Sequence, residues 1–431
     1  MSPPPRDAAQ EAAPAARVEA DPVAAAAEKR LSQTEFIALM GILFSTIAFA
    51  IDAMLPALPQ IAAELAPEAP NRAQLIITSF VLGMGIGTFV TGPLSDAFGR
   101  KPIIIGGAVL YIAGAILAFF AQTLELILAA RFVQGLGAAG PRVVAVAIVR
   151  DLYEGRTMAR IMSFIFIVFS LVPAIAPTLG AGIIWLTGWR GIFGAFVLFA
   201  LSFSVWMGLR QPETLPAAKR RPFRLTVLLA GVREVLANPM VRLVIATQAL
   251  SLGMLFGTLS STQQVFDVTY GQGAHFHLWF GLIAILAASA SFVNAVLVER
   301  LGMRVMVTAV LAGQIGLSSV ACLLLWTGAL AGPWEFALVF VWMTGVFFQA
   351  GLTIGNLNAM ALQPMGHIAG TAASVVGAAS TVGAVLIAAP IGLAFNGTAV
   401  PLVVSTLVLA LVALWLMRRV RRFEDEVPAV A

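Results

Sequence analysis

The chain is poor in charge. Asp, Glu, Lys and Arg make up 11% of its 431 residues, against 60% hydrophobic. A soluble globular domain carries about 25% charged residues. A water-facing surface of this size cannot be coated with so little charge, which excludes a soluble enzyme, a nucleic-acid-binding protein and a disordered regulator. The mean hydropathy of +0.94 agrees. Cysteine is nearly missing: Cys322 stands alone, which rules out an intramolecular disulfide, and neither C-x-x-C nor a Cys/His zinc spacing occurs. Residues 1–34 lack an apolar core of signal-peptide length and are rich in Ala, Pro and mixed charge. They read as a disordered cytoplasmic tail.

What the chain does have is long apolar runs. Crossing ~30 Å of hydrocarbon takes ~20 residues of helix. Twelve runs qualify, near 36–58, 72–95, 102–122, 125–149, 160–186, 190–209, 240–262, 277–298, 304–327, 334–358, 368–393 and 398–417. The expected fold is therefore an all-α membrane protein of twelve transmembrane helices. A polar, basic stretch at 210–239 divides it into a six-helix half at 35–209 and another at 240–418, with a short tail at 419–431. With the N-terminus cytoplasmic, Arg72 and Arg190 lie at the outer face and Arg131 and Arg142 within a span, leaving 22 of the 26 basic residues inside. That is the positive-inside pattern, and it accounts for the net charge of +5 without an acidic partner. A weak repeat relates the halves: Asp96, Gly99 and Lys101 recur as Glu299, Gly302 and Arg304, each 203 residues on. Two like halves point to a transporter with its site at their interface.

Several motifs carry a resemblance. They are Gly92-Pro-Leu-Ser-Asp96-Ala-Phe-Gly99-Arg100-Lys101 after span two, Asp52-Ala-Met-Leu-Pro56 at the end of span one, Arg131-Phe-Val-Gln134-Gly135 in span four with Val149-Arg150-Asp151-Leu152 after it, and Pro173-Ala-Ile-Ala-Pro177-Thr-Leu-Gly180 in span five. With them the chain resembles the major facilitator superfamily, and within it the drug:proton antiporters of the bicyclomycin/chloramphenicol-resistance (Bcr/CflA) type. The resemblance covers roughly residues 36–417. It implies the major facilitator fold and proton-driven export, with no cofactor and no metal. It also places proton-coupling acids in span one, gives Arg131 a share in proton transfer, and makes span five the antiporter-motif helix. Two departures stand out: Ala181 replaces the second of the paired glycines that usually end that motif, and Gly140-Pro141-Arg142 is unusual inside span four.

Of the 21 acids, Asp52 is the one well inside a span. A carboxylate in hydrocarbon is by default a functional group, here for coupling a proton or substrate; a helix-end cap is the alternative. Arg131 is the candidate counter-charge, or else a donor to backbone carbonyls of span one. Arg142 follows eleven residues later, which is about 20° beyond three full turns and ~16 Å along the axis. It either shares the cavity face with Arg131 or snorkels to the cytoplasmic headgroups. Gly92, Asp96, Gly99 and Arg100 form a candidate conformational latch. Pro173, Pro177 and Gly180 bend and thin span five so that it packs closely. Phe49, Phe80, Tyr111, Phe256, Gln263, Gln264, Trp342 and Gln349 are candidate cavity residues; packing or lipid contact is the alternative for each. The run Gly135-Leu-Gly137-Ala-Ala-Gly140 spells GxGxxG, but no strand precedes it, so it reads as helix packing. His275 and His277 have no acid or cysteine nearby to complete a metal site.

The expected function is proton-coupled efflux of small amphiphilic compounds across a bacterial inner membrane, by a monomer with both termini cytoplasmic. Its partners are the substrate, protons and membrane lipid, with no nucleic acid. The alternatives are a proton symporter for uptake of a metabolite and, in another class, a membrane enzyme or channel.

Overall fold

A computed structural model describes residues 31–424; the expected tail to residue 30 and the last seven residues lie outside them. The described chain runs through α1 (Gln33–Asp52), α2 (Leu58–Leu65), α3 (Leu75–Phe98), α4 (Arg100–Phe119), α5 (Leu124–Leu152), α6 (Gly155–Thr187) and α7 (Gly191–Arg210). It continues through α8 (Leu225–Ala237), α9 (Pro239–Gln264), α10 (Phe276–Leu301), α11 (Met303–Thr327), α12 (Pro333–Leu362), α13 (Ala369–Leu393) and α14 (Val400–Glu424). Helix is what such a sequence must form, because hydrocarbon leaves no outside partner for a backbone N–H or C=O. Eleven stretches among the described residues are long and apolar enough to cross a membrane. One of them, Pro333–Leu393, is 61 residues long. It is interrupted by the 3-10 segment Gln363–Ile368, where Met365 has non-helical dihedrals.

Two elements were not expected from the sequence. The apolar run expected as one span at 36–58 ends as a helix at Asp52 and continues through a 3-10 turn (Leu55–Ala57) into the short α2. The stretch 210–239, expected as a polar linker, contains α8, which buries Leu228, Gly231 and Val235. Those positions lie three and four apart, an apolar stripe that the surrounding arginines mask in a composition-based reading.

The repeat seen in sequence has a backbone counterpart. Gly99 ends α3 at φ 104° and Gly302 ends α10 at φ 81°, and in each case the next helix starts at the following residue. A side chain at such a φ would be strained, so both reversals take glycine. Pro141 and the pair Pro173 and Pro177 lie inside α5 and α6, which remain continuous.

Packing follows a clear pattern. Helices α3 and α4 both pack along α5, α1 along α6 and α4 along α7. In the later part α9 meets α12, α13 and α14, and α11 meets α12 and α14. The early and late helices join along α3 with α13 and along α6 with α10. The bundle has two ends. At the Arg100 end lie the ion pairs Arg100–Asp151 and Arg210–Glu35 and the side-chain contact His367–Glu234; at the Asp52 end lie the ion pairs Arg72–Glu125 and Arg190–Glu64.

Candidate functional site

Asp52 is the last residue of α1 and is buried, with 5% of its surface exposed. Its carboxylate has no hydrogen bond or ion pair among the described residues. The chain turns directly after it, and Gly180 of α6 fits against that turn: a Cβ at Gly180 would stand 2.2 Å from the Ala53 carbonyl oxygen. The last glycine of the span-five motif thus touches the backbone next to the acid.

Arg131 of α5 is fully buried. Its Nη2 donates to the Ala50 carbonyl at 2.9 Å, its Nη1 to Gln134 Oε1 at 2.6 Å and its Nε to the Ile76 carbonyl at 3.5 Å. The guanidinium lies 4.3 Å from the centre of the Phe80 ring and 5.8 Å from that of Phe196. Of the two roles the sequence left open, the carbonyl donor is the one formed, and no ion pair joins Arg131 to Asp52. The planar, multi-donor guanidinium suits two carbonyls and an amide on three elements better than a single carboxylate. It pins α1 two residues before the acid.

Arg142 lies on the same stripe of α5. Its side chain is exposed. The neighbouring faces are taken: Gly135 packs on the Phe80 carbonyl of α3, and Gly137 on Gly107 and Tyr111 of α4. Arg142 lies about three turns nearer the Arg100 end than Arg131. The same contacts explain the GxGxxG run: its glycines let three helix backbones approach.

The other candidates separate. Phe80 carries Arg131. Phe49 and Tyr111 join Phe196 in an aromatic cluster, and the Tyr111 hydroxyl and Gln134 Nε2 are buried without partners. Trp342 is fully buried and donates to Ser318 at 2.9 Å, so it joins α12 to α11 and is not a cavity wall. Gln349 is fully buried too, donating to Ser251 of α9 and to Thr353. Phe256 is buried in α9. Gln263 lines two cavities at the Asp52 end.

Gln264 belongs to a seal that the sequence did not reveal. Asn71 donates to the carbonyls of Leu393 at 3.2 Å and Phe395 at 2.7 Å, and accepts from Gln264 at 2.7 Å. Gln74 donates to Gln264 and accepts from Ser261 at 2.8 Å. These bonds close the Asp52 end between early and late helices. Amides at helix ends look like ordinary surface in sequence, so nothing there marked Asn71 or Gln74.

At the Arg100 end the latch motif is ordered around Arg100. Its Nη1 donates to Asp96 at 2.6 Å and to Ser95 at 2.8 Å, and its Nε to Asp151 at 2.9 Å. Asp151 also accepts from Thr214. Glu213, from the linker, accepts from the backbone N–H of Arg100 at 2.9 Å and of Lys101 at 3.1 Å, capping α4. A Cβ at Gly99 would stand 2.6 Å from that carboxylate. Gly92 lies beside Ser374 of α13, so the motif also borders the seam. Glu213 carried no sequence signal, because its partners are 112 and 113 positions away.

Comparison with known proteins agrees with this geometry. Residues 38–388 match the Major Facilitator Superfamily. The chain is 32% identical over 357 residues to the "Bicyclomycin resistance protein homolog" of Haemophilus influenzae, covering 81% of this chain and 87% of that protein. It is 36% identical over 169 residues to the multidrug resistance protein MdtL of Escherichia coli, covering 39% of this chain and 43% of that one. Among solved structures, the xylose transporter XylE of E. coli in a partially occluded inward-open conformation superposes with a TM-score of 0.70. It is 12% identical and covers 90% of this chain and 99% of that one, a likeness of fold.

Proposed function

The chain belongs to the Major Facilitator Superfamily and is a multi-pass membrane transporter, not an enzyme; on that premise we propose that it exports small amphiphilic compounds in exchange for protons. The observation that carries the reading is Asp52: a buried carboxylate with no ion pair, beside the backbone turn that Gly180 of the antiporter-type helix touches. Desolvation favours the neutral acid, and exposure to water as the seam opens favours the ion. Alternating access then becomes alternating protonation. The proton loads when the Asp52 end is open and leaves when that end is sealed and the Arg100 end opens. Inward movement of one charge is driven by roughly 2.3 kcal/mol per 100 mV. The relatives' names point to drugs as cargo.

In this reading the protein is a monomer with twelve crossings in two six-helix halves, 35–209 and 240–418. The break at Met365 makes two crossings of Pro333–Leu393, and the glycine turns at 99 and 302 relate the halves. The membrane is the bacterial inner membrane, and both termini are cytoplasmic because the basic residues gather at the Arg100 end. Arg142 faces the cargo and favours anionic or zwitterionic amphiphiles over permanent cations. No cofactor takes part.

The test is accumulation of candidate drugs in inverted vesicles with an acid interior. Expected is gradient-dependent accumulation that an uncoupler abolishes and Asp52→Asn removes. Accumulation in right-side-out vesicles under an inward proton gradient would show uptake instead.

A further inference from the structure

We propose that the sealed Asp52 end contains a second binding site, separate from the cargo site of the proposed function, for small amphiphilic ammonium compounds, and that an occupant holds the seal shut. Two adjoining cavities of about 460 and 380 Å³ lie there, both lined by Gln263. The smaller has an apolar wall of Leu58, Pro59, Ala62 and Pro70 on the α2 side, and faces Gln263 and Asp267 across the seam. This is the size and composition of a small-molecule site: mostly apolar, with few polar groups.

The polar groups specify the ligand. Gln263 is 5% exposed, and its Oε1 is buried without a hydrogen-bond partner. Buried polar atoms are ordinarily satisfied, so Gln263 is an unpaired amide in the cavity's wall. Asp267 lines the same cavity and is in no ion pair among the described residues. An acidic lining residue in no ion pair calls for a donor with positive charge, and the apolar wall calls for a hydrocarbon body. A primary or secondary ammonium amphiphile fits both.

The link to conformation comes from the other lining residues. Gln74 and Gln264 border this cavity and also hydrogen-bond to each other across the seam. The walls belong to different sides of the seam, so the site exists only while this end is closed. A ligand that binds one state alone shifts the population towards it.

The test uses the purified full-length chain in detergent with three probes that share a body: phenylbutylamine, phenylbutanol and phenylbutyrate. Expected is a rise of several degrees in unfolding temperature with the amine at about 100 times its Kd, and little with the alcohol or the acid. Asp267→Asn and Gln263→Leu should each weaken the amine's apparent affinity about tenfold. Should Asp267→Asn not fold, Ala63→Phe, at an exposed wall position, serves to fill the cavity and abolish the shift. Spin labels at Glu68→Cys and Ala394→Cys, in a Cys322→Ser background, should give a narrower distance distribution with the amine. Equal shifts from all three probes would overturn the proposal, as would full affinity in both Asp267→Asn and Ala63→Phe. Asp52→Asn should keep the amine's effect whatever becomes of its transport, which separates this site from the proton-coupling reading; loss of the effect in Asp52→Asn would also overturn it.

Discussion

Asp52 and Arg131 are both buried in the bundle, and they are handled differently. Arg131 is satisfied by two carbonyls, an amide and an aromatic face, whereas Asp52 is given nothing. Arg131→Lys should therefore act on folding first. One ammonium cannot reproduce a planar fork that spans three elements, and the expected loss is about 2–4 kcal/mol, read as a lower unfolding temperature of the purified protein. Asp52→Asn should leave that temperature unchanged or raise it, because it removes a buried ionisable group that makes no bond. The acid was legible from its isolation in an apolar run. Arg131's true partners were not, since carbonyls carry no sequence mark and every residue offers one. Arg142 was half legible: helical geometry put it on Arg131's face, but only the folded structure showed that Gly135 and Gly137 pack on neighbouring helices while Arg142 is exposed.

At the scale of elements, α6 is held to α1 by an approach that leaves no room for a methyl group. Gly180→Ala would place a Cβ 2.2 Å from the Ala53 carbonyl. The helix must back away, at a cost of about 1–3 kcal/mol. Gly182→Ala, in the same helix with nothing within 4 Å of its Cβ, should cost nothing and serves as the control. Comparing their unfolding temperatures checks this. If transport falls in Gly180→Ala well before stability does, the contact matters for the movement of α6 as well as for its packing. A second prediction concerns α4. Glu213→Ala removes the carboxylate that caps two backbone N–H groups of its first turn. The expected loss is about 1 kcal/mol, with faster protease cleavage within 211–224 as the readout, because the linker loses its anchor. The apolar runs located every long helix. The cap and α8 were hidden, because one depends on contacts far apart in sequence and the other on an apolar stripe diluted by arginine.

For the whole molecule the decisive feature is asymmetry between ends. At the Asp52 end, amide and hydroxyl hydrogen bonds join Asn71, Gln74, Ser261 and Gln264 with two carbonyls at the end of α13. At a net ~1 kcal/mol each, Asn71→Ala, which removes three of them, should shift the closed–open equilibrium by about 2–3 kcal/mol. That is roughly a 30- to 150-fold change in the ratio of states. The Glu68/Ala394 spin-label pair should then show a populated longer distance; an unchanged distribution would mean that apolar packing along α3 and α13 holds the seal, not the amides.

The sequence by itself determined what the membrane imposes. Scarcity of charge fixed the solvent as lipid, lipid fixed helix, and the few remaining charges could be placed one by one, leaving Asp52 alone in a span. These follow from one-dimensional quantities: the length of an apolar run and the cost of a charge within it. Tertiary structure decided everything that depends on which helices touch: that Arg131 binds backbone and not the acid, that Trp342 and Gln349 join helices instead of lining a cavity, that Glu213 caps α4, and that Asn71 and Gln74 shut one end. Hydrogen bonds and close packing are set by distances of a few ångströms between residues far apart in the chain, and only the folded arrangement supplies those distances.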